Sequence, residues 1–165
     1  MKKLSLFLFI FSSLTGFGQK PCSGEGFREF DFWVGEWVVY TQDTVVAGYS
    51  EVEIVLDSCV IQESWSAASS NYAGKSFNSF NEEDGIWSQT WVDNSGVTIH
   101  FFGSYKNGVM HLTGRRSTET GEIRYVMDYT KLPNGQLRQL WKASDDNGIS
   151  WTVLFDGVYR KAPVK

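Results

Sequence analysis

Proline and histidine are scarce in this sequence, at 3 and 2 of 165 residues, and cysteine is limited to 2. Two histidines and two cysteines leave no zinc-type ligand spacing, and phosphate-cradling loops and a Gly-x-Ser-x-Gly nucleophile elbow are also absent. Basic charge is equally thin. Lys and Arg total 15 against 19 Asp and Glu, a net charge of −4, and no basic cluster occurs beyond Arg115–Arg116. Adjacent strand residues point to opposite faces, so even that pair offers no patch, and nucleic acid is not an expected partner. After residue 35 no segment of 10–15 residues keeps helical spacing, so parallel strands would have no crossovers. What is plentiful is aromatic residues, 16% of the chain with 7 Trp, together with 16 Gly. Aromatics and Gly with little Pro favour many strands joined by tight turns.

Long apolar runs are confined to the N-terminus. Lys2 and Lys3 precede a run from Leu4 to Phe11 interrupted by Ser5, and small residues follow at Gly16 and Gly18. This is the layout of a secretory signal peptide over residues 1–19, cleaved near Gly18–Gln19, and a periplasmic or secreted location is expected. Residues 20–165 then form a single domain by length. Pro21 precedes Cys22 where lipoprotein processing needs a small residue, so no membrane anchor is expected. An even cysteine count with export reads as a Cys22–Cys59 disulfide; the alternative is two free buried thiols.

Phe27, Phe30 and Val34 recur at helical spacing, enough for a turn or two of helix. From Trp37 onward the pattern has period two. Strands are expected near 36–42, 45–56, 59–67, 75–81, 86–93, 97–105, 108–116, 122–131, 136–143 and 151–160. Turn signals separate them at Asn94-Ser95-Gly96, Asn107-Gly108, Thr120-Gly121, Asn134-Gly135 and Asp146-Asn147-Gly148. Ala67–Gly74 is expected to be a mobile loop at the barrel mouth. Consecutive antiparallel strands must hide their edges, and closure does so. The expected fold is therefore all-β, an antiparallel up-and-down β-barrel of about ten strands with a short N-terminal helix. A two-sheet sandwich is the alternative.

Residues 30–37 read Phe-Asp-Phe-Trp-Val-Gly-Glu-Trp. This resembles the signature of a widespread family of uncharacterised secreted bacterial proteins, and the resemblance extends to Cys22, Cys59, Gln89-Thr-Trp91-Val-Asp93 and Gln139-Leu-Trp141. More distantly the segment is similar to the Gly-x-Trp opening of lipocalins and nitrobindin-type calycin barrels. That resemblance implies a calycin-like barrel whose floor has Gly35 and Trp37 at the first strand and Arg160, from the last strand, stacked on Trp37. Nitrobindin-type proteins place a haem-ligating His late in the chain, and nothing after His111 can match it, so no cofactor is expected. Ser144-x-Asp146-x-Gly148-x-x-Trp151 resembles an Asp-box, which implies a hairpin turn with Trp packed beneath it and carries no implication of glycosidase activity.

Three strands carry a polar residue two places before a Trp: Glu63-x-Trp65, Gln89-x-Trp91 and Gln139-x-Trp141. Period two puts both members of each pair on one face. If that face is the lumen, indoles mix there with carboxylate and amide groups, a lining suited to an amphipathic or aromatic ligand. Alternatively the Trp residues fill a small core and the polar partners satisfy their indole N–H groups. A two-residue turn at Asn107-Gly108 pairs Ser104 with His111 and Phe102 with Thr113, so His100 and His111 share a face. A two- or four-residue loop before Val97 puts His100 with Gln89 and Trp91, whereas a three-residue loop reverses it. A two-residue turn at Asn134-Gly135 puts Arg124 and Asp128 on the face of Gln139 and Trp141. There Arg124 could pair with Glu63 or Asp128 and orient a ligand; the alternative is an ion pair on the outer face.

The candidate ligand-binding residues are thus Glu63, Trp65, Gln89, Trp91, His100, Arg124, Asp128, Gln139 and Trp141, with no catalytic or metal set. The expected function is an exported barrel binding a small hydrophobic or amphipathic molecule. The alternatives are a lumenal lyase or isomerase using Glu63 and His100 as acid and base, and a structural module of the cell envelope.

Overall fold

Strict alternation with a turn every eight to eleven residues allows little besides a meander, and a meander of this length with unprotected edges would aggregate. The computed structural model describes residues 20–163 apart from 42, 43 and 120, so the signal-peptide segment 1–19 lies outside the described residues. Ten antiparallel strands close into a barrel: β1 (Gly35–Thr41), β2 (Val45–Val55), β3 (Val60–Ala67), β4 (Ala73–Asn81), β5 (Ile86–Asp93), β6 (Thr98–Lys106), β7 (Val109–Thr118), β8 (Gly121–Lys131), β9 (Leu137–Ser144) and β10 (Thr152–Lys161). Each strand pairs with its sequence neighbours, and β1 pairs with β10 to close the sheet. The two-sheet alternative is thereby excluded.

The chain enters through two short 3₁₀ turns, Glu25–Arg28 and Asp31–Trp33, in place of an α-helix. Their aromatic side chains plug one end of the barrel. Trp33 is fully buried, stacked on Phe30 at 4.9 Å and tilted against Tyr129 at 4.6 Å. Phe30 meets Trp87 edge-on at 5.6 Å, and Phe27 meets Phe80 at 5.2 Å. The indole N–H of Trp87 donates to Glu29 Oε2 at 3.1 Å, and that of Trp37 donates to the Trp33 carbonyl at 2.8 Å. Such edge-on and offset contacts suit the aromatic quadrupole, so the plug is specific in geometry as well as apolar.

Cys22 and Cys59 form the expected disulfide, with Cα atoms 5.0 Å apart and a sequence separation of 37. It ties the start of the plug to the β2–β3 turn, where Arg28 also donates to the Ser58 carbonyl at 2.5 Å. The disulfide is consistent with an oxidising compartment. Closing a loop of this length restricts the unfolded chain by roughly 3–4 kcal/mol. The paired Cys22→Ser, Cys59→Ser variant should lose about that much stability in urea denaturation. A loss below about 1 kcal/mol would show that the plug holds without its tether.

Arg160 does not stack on Trp37. The register sets Lys161 opposite Trp37 and Arg160 opposite Val38, so Arg160 belongs to the outer face. Its guanidinium lies 4.5 Å over the ring of Tyr40. Lys161 takes the expected place: Nζ stands 3.7 Å from the Trp37 ring and donates to the Val34 carbonyl at 2.7 Å. A cation over the floor indole is present, supplied one residue later than the resemblance implies.

The Asp146 turn adopts the expected form. Asp146 accepts from the backbone N–H groups of Ile149 and Ser150 at 3.0 and 2.9 Å, and from the hydroxyls of Ser144 and Ser150. These donors hold its carboxyl well below the usual range. Trp151 packs against the turn with its ring 3.5 Å from where a Cβ on Gly148 would stand, yet stays 38% exposed, with Lys142 Nζ 5.9 Å from its ring.

Candidate functional site

The end of the barrel opposite the plug is open. The Trp residues of β3, β5 and β9 lie towards it, and a cavity of about 250 Å³ runs between them into the lumen. Trp65, Trp91, Trp141, Tyr72 and Phe155 are among the residues lining it, with Glu63, Gln89, Gln139, Tyr129 and Tyr159 among the others. All three polar-x-Trp pairs therefore face inward, as period two requires once either member does. The Trp residues line the space without filling it, and the reason is local. Trp65 lies against Gly48 and Trp91 against Gly74; a Cβ at either glycine would stand 2.6 or 2.3 Å from the ring. The missing side chains let both indoles lie close to the wall.

Deeper in, the polar members join a continuous hydrogen-bonded array. Glu63 is 3% exposed; Ser50 on β2 donates to its Oε1 at 2.9 Å and Ser76 on β4 to its Oε2 at 3.1 Å. Asn78 Nδ2 donates to the Ser76 hydroxyl at 3.1 Å, and Gln89 Nε2 donates to Asn78 Oδ1 at 2.7 Å and to the Tyr129 oxygen at 3.2 Å. Gln139 donates through Nε2 to the same Tyr129 oxygen at 3.1 Å, and its Oε1 accepts from the Tyr159 hydroxyl at 2.5 Å. Buried polar groups need such partners, and this array supplies them. The amides do not serve the indoles. Trp91 Nε1 donates to Asp93 at 3.3 Å, and the buried Trp141 Nε1 has no acceptor among the described residues.

Burial decides the electrostatics. It pushes the Glu63 carboxyl from 4.5 up to about 7, against the opposing effect of the two serine hydroxyls. Tyr129 and Tyr159 are driven well above 10, first by burial and then by the nearby Glu63 charge, and stay neutral hydroxyls. At the mouth, Tyr72 donates to Asp93 Oδ2 at 3.1 Å and is pushed up to about 12 by burial and that carboxylate. The β3–β4 connection carrying Tyr72 is at the mouth as expected. It is fastened to the β5–β6 turn, where Asn94 Nδ2 donates to the Asn71 carbonyl at 2.5 Å and Asn94 Oδ1 accepts from the Ala73 N–H at 3.2 Å.

Three expected site residues fall outside the lumen. His100 is exposed on the outer face, 3.1 Å from the Thr90 hydroxyl, because the β5–β6 connection is a three-residue loop in which the Asp93 N–H donates to the Val97 carbonyl. The Phe102–Thr113 and Ser104–His111 pairings occur as expected, so both histidines share that outer face. Arg124 and Asp128 are displaced by a one-residue slip at the β8–β9 turn. Pro133 joins Asn134 and Gly135 in the loop, Asn134 and Gly135 take left-handed φ of 63° and 70°, and the Leu132 N–H donates to the Gln136 carbonyl. Tyr129 then faces Gln139 and Met127 faces Trp141, turning Asp128 and Arg124 outward. Asp128 meets His111 at 2.6 Å, and Arg124 donates to Glu122 at 3.3 Å. The outer-face ion-pair alternative is the one realised. Glu63 and His100 lie on opposite sides of the wall and cannot act as an acid–base couple.

Ser50, Ser76, Asn78, Tyr129 and Tyr159 belong to the site without having been picked out from sequence. Tyr129 carries a signal in retrospect, since a three-residue turn at Pro133 brings it opposite Gln139. Among the described residues no group of three or more His, Cys, Asp or Glu could hold a metal, and no helix is long and apolar enough to cross a membrane. Compared with known proteins, the chain matches no family model and no curated protein.

Proposed function

We propose that this protein is an exported, calycin-like barrel that binds a small amphipathic or aromatic molecule in its lumen, as a member of the secreted family its Phe30–Trp37 segment resembles. The observation that carries the reading is the open-ended cavity itself, with indoles at its mouth and a hydrogen-bonded polar array at its inner end. Binding sites are concave, mostly apolar and furnished with a few placed polar groups, and this cavity has that make-up at a volume just below the usual range of roughly 300–1,000 Å³. A plain alkyl chain would leave Glu63, Gln89 and Gln139 without further use. A one-ring ligand with a polar end uses both regions.

The test is a titration with 2-phenylethanol and phenethylamine, followed by tryptophan emission excited at 295 nm and by melting temperature. Binding should perturb emission and raise the melting temperature. Ala67→Phe, which fills the mouth beside Trp65, should weaken binding by roughly tenfold, the equivalent of about 1.4 kcal/mol. Unchanged emission and melting with both compounds would remove the binding reading.

A further inference from the structure

We propose that the lumen selects an organic ammonium ion on an aromatic body, its charge held by the Glu63 carboxylate and its ring held between the mouth indoles. The assignment rests on the cavity being a binding site and names the chemistry that the site recognises.

The charge balance is the first support. Among the described residues no Lys, Arg or His lines the cavity, and Glu63 is the one carboxyl that does. The groups that face it in the lumen are Ser50 from β2, Ser76 from β4, Tyr72 from the β3–β4 connection, Tyr129 from β8 and Tyr159 from β10, and all three phenols stay neutral. Each Glu63 oxygen receives one serine hydroxyl, which leaves acceptor capacity on both. Within the array a Gln at this position could also accept from a serine. The two serine hydroxyls stabilise the negative charge only in part, and its burial disfavours the folded state. A cationic ligand gives the charge a partner.

The walls supply the second support. Trp65, Trp91 and Trp141, with Phe155 and Tyr72, surround the approach to Glu63. Ring faces carry negative potential and attract ammonium groups, most strongly for indole. An anionic ligand would meet both the carboxylate and those faces unfavourably. Depth supplies the third. Glu63 stands two residues below Trp65 on the same face of β3, about 6.6 Å along the strand. A two- or three-carbon linker between ring and nitrogen spans that separation, so an arylalkylamine can place its ring at the indoles and its ammonium at the acid.

Binding of the cation requires ionised Glu63, and burial brings that ionisation to about pH 7. Affinity should therefore be full at pH 8 and fall about thirtyfold by pH 5.5, with proton release on binding at the lower pH. Calorimetric titration with phenethylamine, 2-phenylethanol and phenylacetate, on the wild-type chain and on Glu63→Gln, tests the proposal. At pH 8 the amine should bind at least about tenfold more tightly than the alcohol, with phenylacetate weakest. In Glu63→Gln the amine should lose its advantage. Equal affinity for amine and alcohol in the wild-type chain would overturn the ammonium assignment and leave the cavity reading in place. So would an amine preference that survives Glu63→Gln, or one indifferent to pH between 5.5 and 8 in the wild-type chain. The pH arm needs no variant to fold. Binding of neither amine nor alcohol would overturn both readings.

Discussion

Glu63→Gln is expected to stabilise the ligand-free barrel at pH 8 while leaving it nearly unchanged at pH 4.5. Burial raises the folded-state carboxyl from 4.5 to about 7. Between those values the folded chain retains a proton that the unfolded chain has released, so stability falls as pH rises through the window. Below 4.5 both states are protonated and the group contributes no difference. Above 7 the full penalty applies, roughly 3 kcal/mol for a separation of this size. The neutral amide carries no such penalty and can still bond one of the serines. Asp93, Asp146 and Asp156 are held low by hydrogen bonds or by Arg138, and their contribution is lost only as pH falls below the ordinary carboxyl range. They act alike in both chains and cancel in the difference. Urea midpoints of the two proteins should diverge steadily from pH 5 to pH 7.5. Parallel curves across that range would mean that Glu63 titrates normally and is hydrated in the folded state.

Trp33→Ala should be the most damaging single substitution in the plug. Trp33 has no exposed surface and touches both Phe30 and Tyr129 through ring contacts. Truncating a buried Trp costs roughly 3–5 kcal/mol, from lost transfer energy and the void left behind. For a domain of this size that corresponds to a fall in melting temperature on the order of 10 °C. The effect should reach the site, because Tyr129 is both a neighbour of Trp33 and the acceptor shared by Gln89 and Gln139. Trp151→Ala on the outer face is the control, since that ring is already 38% exposed and should cost far less. Similar losses for the two variants would show that the plug does not bear on barrel stability.

Strand positions were readable to within about two residues because each strand carries its own alternation and most turns a Gly or Asn. Asn107-Gly108 even set its register, since a two-residue loop admits one pairing. Where a loop admits more than one length, the reading failed or forked. At β5–β6 loops of two, three or four residues stood open, and the hydrogen bond from Asp93 to Val97 chose the three-residue one that puts His100 outside. At β8–β9 the Asn-Gly pair pointed to a two-residue turn, but Pro133 extended it by one and reversed the facing of Arg124 and Asp128. A slip of one residue exchanges the two faces of a strand, so a small ambiguity in a loop becomes a complete error in the site.

The amino-acid sequence alone determined that this chain is a meander of ten antiparallel strands, that its two cysteines can pair, and that Glu63, Gln89 and Gln139 each share a face with a Trp. These follow from local period and turn chemistry, which need no knowledge of distant residues. Only the tertiary structure decided that the shared face is the lumen, that Ser50, Ser76, Tyr129 and Tyr159 complete it, and that Lys161 in place of Arg160 covers Trp37. Closure of the sheet brings strands far apart in sequence to the same depth of one cavity, and the facing of each depends on the register of every turn before it.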